Sequence, residues 1–434
     1  MLASVSVANQ GGSVSTTTQP QLGYRALPRE VWVLVSANVL IAAGFGLVAP
    51  AIPVFAKSFD VGISAASLVV SAFAGARLVF APATGPLITK LGERKVYLWG
   101  LIIVAVSTGA AGFAQTYTQL VVFRGLGGIG STMFTVSAVA LLIHLTPPPL
   151  RGRASGLFGA GFLTGNVVGP LGGSGLMTIS LRAPFLIYAA LLVVATFLVW
   201  LLLRKSTLIG RVDAETAPAV TIGQALRNHA YRASLLTNFA FGWFVFGVRV
   251  ALLPLFIVQV LHEREELSGI AFGVYAAVNV LALLPTGRLA DRIGRKPLIL
   301  AGLVVASAGT VWLGLTTSVV EMLLASAVAG IGTGVLTPPN QAAVADIVGS
   351  KGRGGPVLAT FQMAADVGAI IGPYVAGLIA EGSTYGWAFG LTGALTLLAA
   401  VVWLPAPETL PRDPEEPHHP TPEQACELEA QEAR

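Results

Sequence analysis

Between residues 31 and 404 the chain consists of apolar runs broken by short polar loops, and the runs are too long for a soluble fold. The stretch VWVLVSANVLIAAGFGLVAPAIPVFA (31–56) meets no charge before Lys57, and APFLIYAALLVVATFLVWLLL (183–203) carries none. About 20 such residues cross a hydrocarbon core. Backbone N–H and C=O groups in lipid must bond within their own segment, so the runs predict helices. Twelve spans are expected, at about 31–56, 64–88, 96–114, 118–144, 154–178, 183–203, 233–260, 267–286, 297–316, 319–345, 355–380 and 385–404. The segment 204–232 is longer than the other connections and separates spans 1–6 from spans 7–12.

The loops alternate in charge. One set holds Lys90, Arg94 and Lys95; Arg151 and Arg153; Arg204, Lys205, Arg211, Arg227 and Arg232; Arg288, Arg292, Arg295 and Lys296; Lys351 and Arg353. The opposite set holds Lys57, Arg182 and Arg264. The positive-inside rule puts the first set and both termini in the cytoplasm. The expected organisation is a disordered N-terminal tail (1–30), a six-helix bundle (31–203), a cytoplasmic linker (204–232), a second six-helix bundle (233–404) and an acidic, Pro-rich cytoplasmic tail (405–434). The first 24 residues lack a basic region followed by an apolar core, so they do not read as a cleaved signal.

Composition agrees with this picture. Hydrophobic residues make up 54% and charged residues 11% of the chain, against about 25% charged in soluble domains. The net charge of +5 sits in short loops between apolar runs, which argues against nucleic-acid binding. The single cysteine, Cys426, lies in the tail, and no disulfide framework follows. The five histidines show no metal-ligand spacing. The preference for Arg over Lys, with abundant Ala, Gly and Val, points to a bacterial source.

The chain also repeats itself. TGPLITKLGERK (84–95) returns as TGRLADRIGRK (286–296), with Asp291 where the first copy has Thr89. FGLVAPAIPVF (45–55) aligns with FGVRVALLPLF (246–256) at an offset of 201, GGIGS (127–131) with AGIGT (329–333) at 202, and GNVVGPLGG (165–173) with GAIIGPYVA (368–376) at 203. A near-constant offset across several spans indicates duplicated six-helix halves. Parallel repeats of this kind place a site near the bilayer midplane, between halves that rock against each other.

On these residues the chain resembles the major facilitator superfamily, and within it the twelve-span drug:proton antiporter branch. The superfamily's loop pattern G-x-L-a-D-r-x-G-r-K is matched by Gly287, Leu289, Asp291, Arg292, Gly294, Arg295 and Lys296, and in part by Gly85, Leu87, Gly92, Arg94 and Lys95. The resemblance implies an all-α membrane protein of twelve transmembrane helices in two pseudo-symmetric bundles. It also implies that these loops gate the conformational change, the Asp closing a charge network on the cytoplasmic side that stabilises an outward-facing state. Thr89 cannot supply that charge, so the first half has lost the charged latch. The glycines are expected to let helix ends approach closely.

Span 5 carries Gly161, Gly165 and Gly169 on one face, followed by Pro170, Gly172 and Gly173. This resembles the antiporter motif of the efflux branch. Close helix packing is the competing reading, supported by a weaker copy at Gly368, Gly372, Pro373 and Gly377. Charges inside the membrane are costly and functional by default. Arg124 in span 4 resembles the family position proposed to take part in proton transfer, and its repeat equivalent is Ser326. Arg249 in span 7 aligns with Val48; it either faces the central cavity or snorkels toward the outer surface. Asn38, Asn166, Asn238, Asn279 and Gln362 either line the cavity or bond between helices. His144 reads as a boundary residue at the end of span 4.

Asp366 is the one acid deep inside a span, and it is the first candidate for reversible protonation. Arg77 in span 2 lies 12 residues before Thr89, and Asp366 lies 12 residues after Gly354. Both therefore sit about 18 Å from the cytoplasmic side. In the superfamily fold spans 2 and 11 meet, so Arg77 and Asp366 could pair across the halves. The alternative partner of Asp366 is Arg249. Proton coupling is thus assigned to Asp366, Arg124 and Arg77, and the substrate cavity to Arg249, Asn38 and Gln362.

The function expected is secondary active transport: proton-coupled efflux of small, hydrophobic or drug-like molecules by a monomer in the cell membrane, with no cofactor. An uptake symporter or facilitator for a sugar or metabolite is the second reading, and a non-transporting scaffold or receptor the third. An enzyme would need a nucleophile–base constellation and a nucleotide-driven pump would need a phosphate-binding loop; neither is present in the sequence.

Overall fold

The computed structural model describes residues 27–147, 150–203, 221–348 and 355–410. Most of the N-terminal tail, the linker stretch 204–220, the loop with Lys351 and Arg353 and the tail from 411, including Cys426, lie outside the described residues. Among the described residues, eleven helices are long and apolar enough to cross a membrane. They occupy the positions expected for spans 1–4 and 6–12. The helix at span 5, Arg151–Met177, is not in that set; nine of its residues are glycine, which lowers its hydropathy. The short helix Ile222–Arg227, closed by a Thr221–Gln224 capping box, and the start of His229–Phe241 fall within the stretch read as linker.

Each half repeats one packing scheme. Span 1 (Arg29–Val48, continued by Ala51–Lys57) packs on span 5, and span 4 (Tyr117–Leu145) on span 3 (Glu93–Gly112). In the second half, span 7 packs on span 11 (Gly355–Gly382), and span 10 (Val319–Val348) on span 9 (Arg295–Leu313). Two seams join the halves: span 2 (Ile63–Leu91) against span 11, and span 5 against span 8 (Leu267–Ile293).

Span 7 is irregular. It runs as His229–Phe241, a π-helical stretch Gly242–Val248, and Arg249–Gln259. A π turn closes i→i+5 bonds and so takes up an extra residue. The repeat shows where that residue went. Asn38 donates to the Phe158 carbonyl (2.8 Å), and Asn238 donates to the Phe361 carbonyl (2.6 Å), the same tie in each half at an offset of 200. Beyond the π stretch the offset is 201, with Pro254 matching Pro53. The bulge absorbs the insertion, so residues on either side keep the facing of their span-1 counterparts.

The halves touch at one end. At the sparsely charged end, Glu381 accepts hydrogen bonds from the Ser64 backbone N–H (3.0 Å) and hydroxyl (2.5 Å), and the Ser174 hydroxyl donates to the Glu266 carbonyl (2.7 Å). Deeper, Ser71 donates to the Ile370 carbonyl (2.6 Å). The main apolar core lies at this end too, joining Ile52 and Phe55 of one half to Val250 and Phe256 of the other. At the basic end Gly85 and Gly287 have nothing within 4 Å of where a side chain would begin. The close approach expected of these two glycines is therefore absent from this conformation.

Candidate transport site

The deepest polar contact between the halves is ionic. Arg77 Nε lies 3.8 Å from Asp366 Oδ1, with both side chains largely buried. Arg77 Nη1 also donates to the Ser131 hydroxyl (3.0 Å), which holds the guanidinium toward span 4. The second half repeats this bond without the charge: Asn279, the counterpart of Arg77, donates to Thr333, the counterpart of Ser131 (2.9 Å). At the offset of span 5, Asp366 corresponds to Leu163, so the second seam carries no equivalent ion pair. Arg249 forms no ion pair with Asp366.

The other two embedded arginines lean on aromatic rings. Arg124 is buried (4% exposed) with its guanidinium 4.6 Å from the centre of Phe73. Arg249 is half-buried, 4.7 Å from Phe272 and 4.0 Å from Tyr275. Tyr275 is the counterpart of Phe73, so the two halves use the same ring position for arginines on different helices. Among the described residues, no carboxylate lies within ion-pair distance of Arg124 or Arg249.

Asn38, assigned to the cavity from sequence, is buried and committed to Phe158; its amide ties span 1 to span 5. Asn166 turns back on the Phe162 carbonyl of its own helix. Gln362 is exposed, one turn from Asp366 toward the basic end. The span-5 glycines face span 1: a Cβ on Gly165 would come within 2.6 Å of Ala43 N, and one on Gly169 within 2.3 Å of Ala43 O. Gly161 faces Val39, Gly172 and Gly173 face Leu47, and Pro170 abuts Gly46. The span-11 copy packs on span 7 in the same manner, with Gly368 and Gly372 against Phe239 and Trp243. In this conformation both glycine sets serve close helix contact.

At the basic end the two repeated loops carry different charges. Gly92 (φ 84°) and Gly294 (φ 103°) make the same left-handed turn, a conformation that favours glycine. In the second half Arg295 bonds Asp291 one turn earlier and reaches Asp346 of span 10 (Nε to Oδ2, 3.2 Å). Glu408, beyond span 12, accepts the backbone N–H groups of Arg295 (2.8 Å) and Lys296 (3.1 Å), closing the start of span 9. Its partial desolvation pushes the carboxyl up, but hydrogen bonds from Leu410, Arg295, Lys296 and Thr409 more than offset this and hold it below its usual value. Arg292 points to solvent.

In the first half His144 Nδ1 lies 2.7 Å from Glu93 Oε1. Thr89 bonds only the Gly85 carbonyl (3.2 Å), and Arg94 keeps Nε buried without a hydrogen bond. By letters, Arg94 matches Arg295. By packing it does not: spans 3 and 9 each start just after the turning glycine, and Gly100 sits on Gly130 as Gly302 sits on Gly332. Both relations keep the offset of 202, which places Glu93 opposite Arg295 and His144 opposite Asp346. The same two positions hold an acid and a base in each half, with the signs exchanged. Sequence reading missed this pair, although both offsets are visible in the chain.

Two helical bundles of membrane-spanning helices, joined along two seams with an ionisable pair on one of them, define a polytopic membrane transporter. The family model described as Major Facilitator Superfamily matches residues 34–279 and 251–428, and the chain belongs to that superfamily. It is 23% identical to the "Multidrug efflux protein YfmO" of Bacillus subtilis over 397 residues, covering 90% of this chain and 96% of that protein. It is 26% identical over 328 residues to the human chromaffin granule amine transporter, covering 75% of this chain and 62% of that one. Among solved structures, a bacterial homolog of the human lysosomal transporter Spinster, in an inward-facing and occupied conformation, superposes with a TM-score of 0.74 at 15% identity. That match covers 86% of this chain and 95% of the other.

Proposed function

We propose that the chain exports small, apolar or drug-like molecules in exchange for protons by alternating access. The observation that carries this reading is the Arg77–Asp366 pair at the deepest contact between the halves. A carboxylate that takes a proton loses the charge that holds its partner. Protonation of Asp366 therefore weakens one seam at its deepest point, while the Ser64–Glu381 and Ser71–Ile370 bonds of that seam remain. Oriented by the positive-inside rule, the basic end faces the cytoplasm and the pair lies on the path between that end and the contacts that close the other. The span-5 glycine motif, which resembles that of the efflux branch, and the similarity to a multidrug efflux protein support the direction of transport. With no phosphate-binding loop in the sequence, the energy comes from an ion gradient or the substrate's own gradient, and the ionisable pair favours the first.

The test uses everted membrane vesicles with an acidified interior. Substrate is expected to accumulate, and a protonophore is expected to abolish accumulation. Uptake indifferent to the protonophore would remove proton exchange. At the residue level, Arg77→Asp and Asp366→Arg are each expected to stop transport, and the double exchange to recover part of it.

A further inference from the structure

The charge count inside the membrane is unbalanced. Arg77, Arg124 and Arg249 lie deep in their spans, and Asp366 is the one acid at similar depth. Asp366 is taken by Arg77, so two guanidinium groups have no counter-charge among the described residues. Holding an arginine at depth is costly, and cation–π contacts offset only part of that cost. Arg249 is not relieved by reaching the surface. It lies ten residues from Gln259, the end of its helix, which is about 15 Å and beyond the reach of its side chain.

The surroundings of Arg249 are built. Phe272 and Tyr275, neighbours on one face of span 8, both lie against its guanidinium. Tyr275 is held by a hydrogen bond between its hydroxyl and Thr333 (2.6 Å) and by an edge contact with Phe244. Arg249 Nη2 makes one long bond to the Val245 carbonyl of its own helix (3.4 Å), and Nε has no hydrogen-bond partner. Arg249 also follows directly on the π-helical stretch, a kind of irregularity that accompanies functional sites. A guanidinium whose Nη donors make no more than one long bond matches a carboxylate, which accepts N–H bonds in parallel.

We propose that the site at Arg249 binds amphipathic organic anions, a carboxylate on an apolar or aromatic body, and that these are the transported class. The proposal rests on the transport reading above and narrows its substrate. The carboxylate takes the Nη end of the guanidinium, the apolar surroundings in spans 7 and 8 suit a hydrophobic body, and the two uncompensated arginines disfavour a cationic drug of the same shape.

The experiment measures equilibrium binding of three probes with one body to the full-length protein in nanodiscs at neutral pH: 2-naphthoate, 2-naphthylmethanol and 2-naphthylmethylammonium. Naphthoate is expected to bind ~10-fold more tightly than the ammonium. Arg249→Gln is expected to remove that preference while leaving naphthylmethanol affinity within about twofold, which also reports that the variant is folded. Arg249→Lys is expected to keep part of the preference. Equal affinity of the native protein for the three probes overturns the proposal. So does full preference in both Arg249 variants, or its loss in Arg124→Gln alone. Counterflow of the same probes in proteoliposomes separates the two readings. Selective naphthoate binding without counterflow removes transport and leaves the anion site, whereas counterflow of the ammonium but not of naphthoate removes the anion site and leaves transport.

Discussion

The loop between spans 2 and 3 and the loop between spans 8 and 9 are built on one backbone and carry opposite chemistry. Each turns on a left-handed glycine, and each hands its first helical residue to a partner on the neighbouring helix. In the second half that residue is Arg295, held by Asp291 and Asp346 and backed by Glu408. In the first half it is Glu93, held by His144 alone. Duplication thus preserved the turn, which only glycine makes cheaply, and the pairing, because an unpaired charge at a buried helix junction is costly. The sign was free to change. The two ends differ in how many groups hold the central residue, and they should differ in strength.

The largest expected effect is at Arg295. Arg295→Ala leaves Asp291 and Asp346 facing each other without a cation, and is expected to lower unfolding stability by about 2 kcal/mol. Glu93→Ala is expected to cost about 1 kcal/mol, since one partly exposed partner is lost. Thermal unfolding of the purified protein reads both, and equal shifts would break the comparison.

The exchanged signs give a sharper test. Glu93→Arg and His144→Asp made together recreate the second-half pair, and should restore most of the stability that either single change removes, to within about 0.5 kcal/mol of native. If Arg94 were the true counterpart of Arg295, the double exchange would be no better than the singles.

Asp291→Asn is expected to reduce stability by about 0.5 kcal/mol, as an exposed i,i+4 pair is worth little. Its effect on transport, and on cysteine accessibility at the basic end, is expected to exceed that of Thr89→Asn. Equal and negligible effects of both changes would remove the one-sided latch.

The smallest effect concerns Glu408. Its carboxyl titrates below the usual range, so its cap contributes stability above that range and loses it as pH falls through the lowered value. The side chain is largely exposed, and solvent screening limits the contribution to no more than about 0.5 kcal/mol. Glu408→Gln should erase that part of the acid-side loss, seen as a smaller difference in melting temperature between neutral and acidic buffer. No counterpart exists at Glu93, which caps no backbone N–H among the described residues.

Much of the fold was legible in the chain. Apolar runs must be helical in lipid whatever surrounds them, so the helices read directly, down to the turning glycines Gly92 and Gly294. The Arg77–Asp366 contact was also within reach, because depth along a helix is simple arithmetic and the seam partners follow from the resemblance. The glycine face of span 5 could be read from spacing, but the spacing could not say that its partner was the backbone of span 1.

What sequence alone determined is therefore the part governed by local rules: the membrane class, the helices, the duplication, and which charges lie deep within the spans. Tertiary structure decided what depends on who meets whom. It committed Asn38 to Phe158, placed Glu93 opposite Arg295 where the letters favoured Arg94, and set Arg249 against two rings of span 8 without a counter-charge among the described residues. The physical reason is that a helix fixes the depth and face of a side chain, but its partner is chosen by helix–helix contact. One inserted residue, or one π turn as in span 7, moves letters out of register while packing keeps the side chains in place.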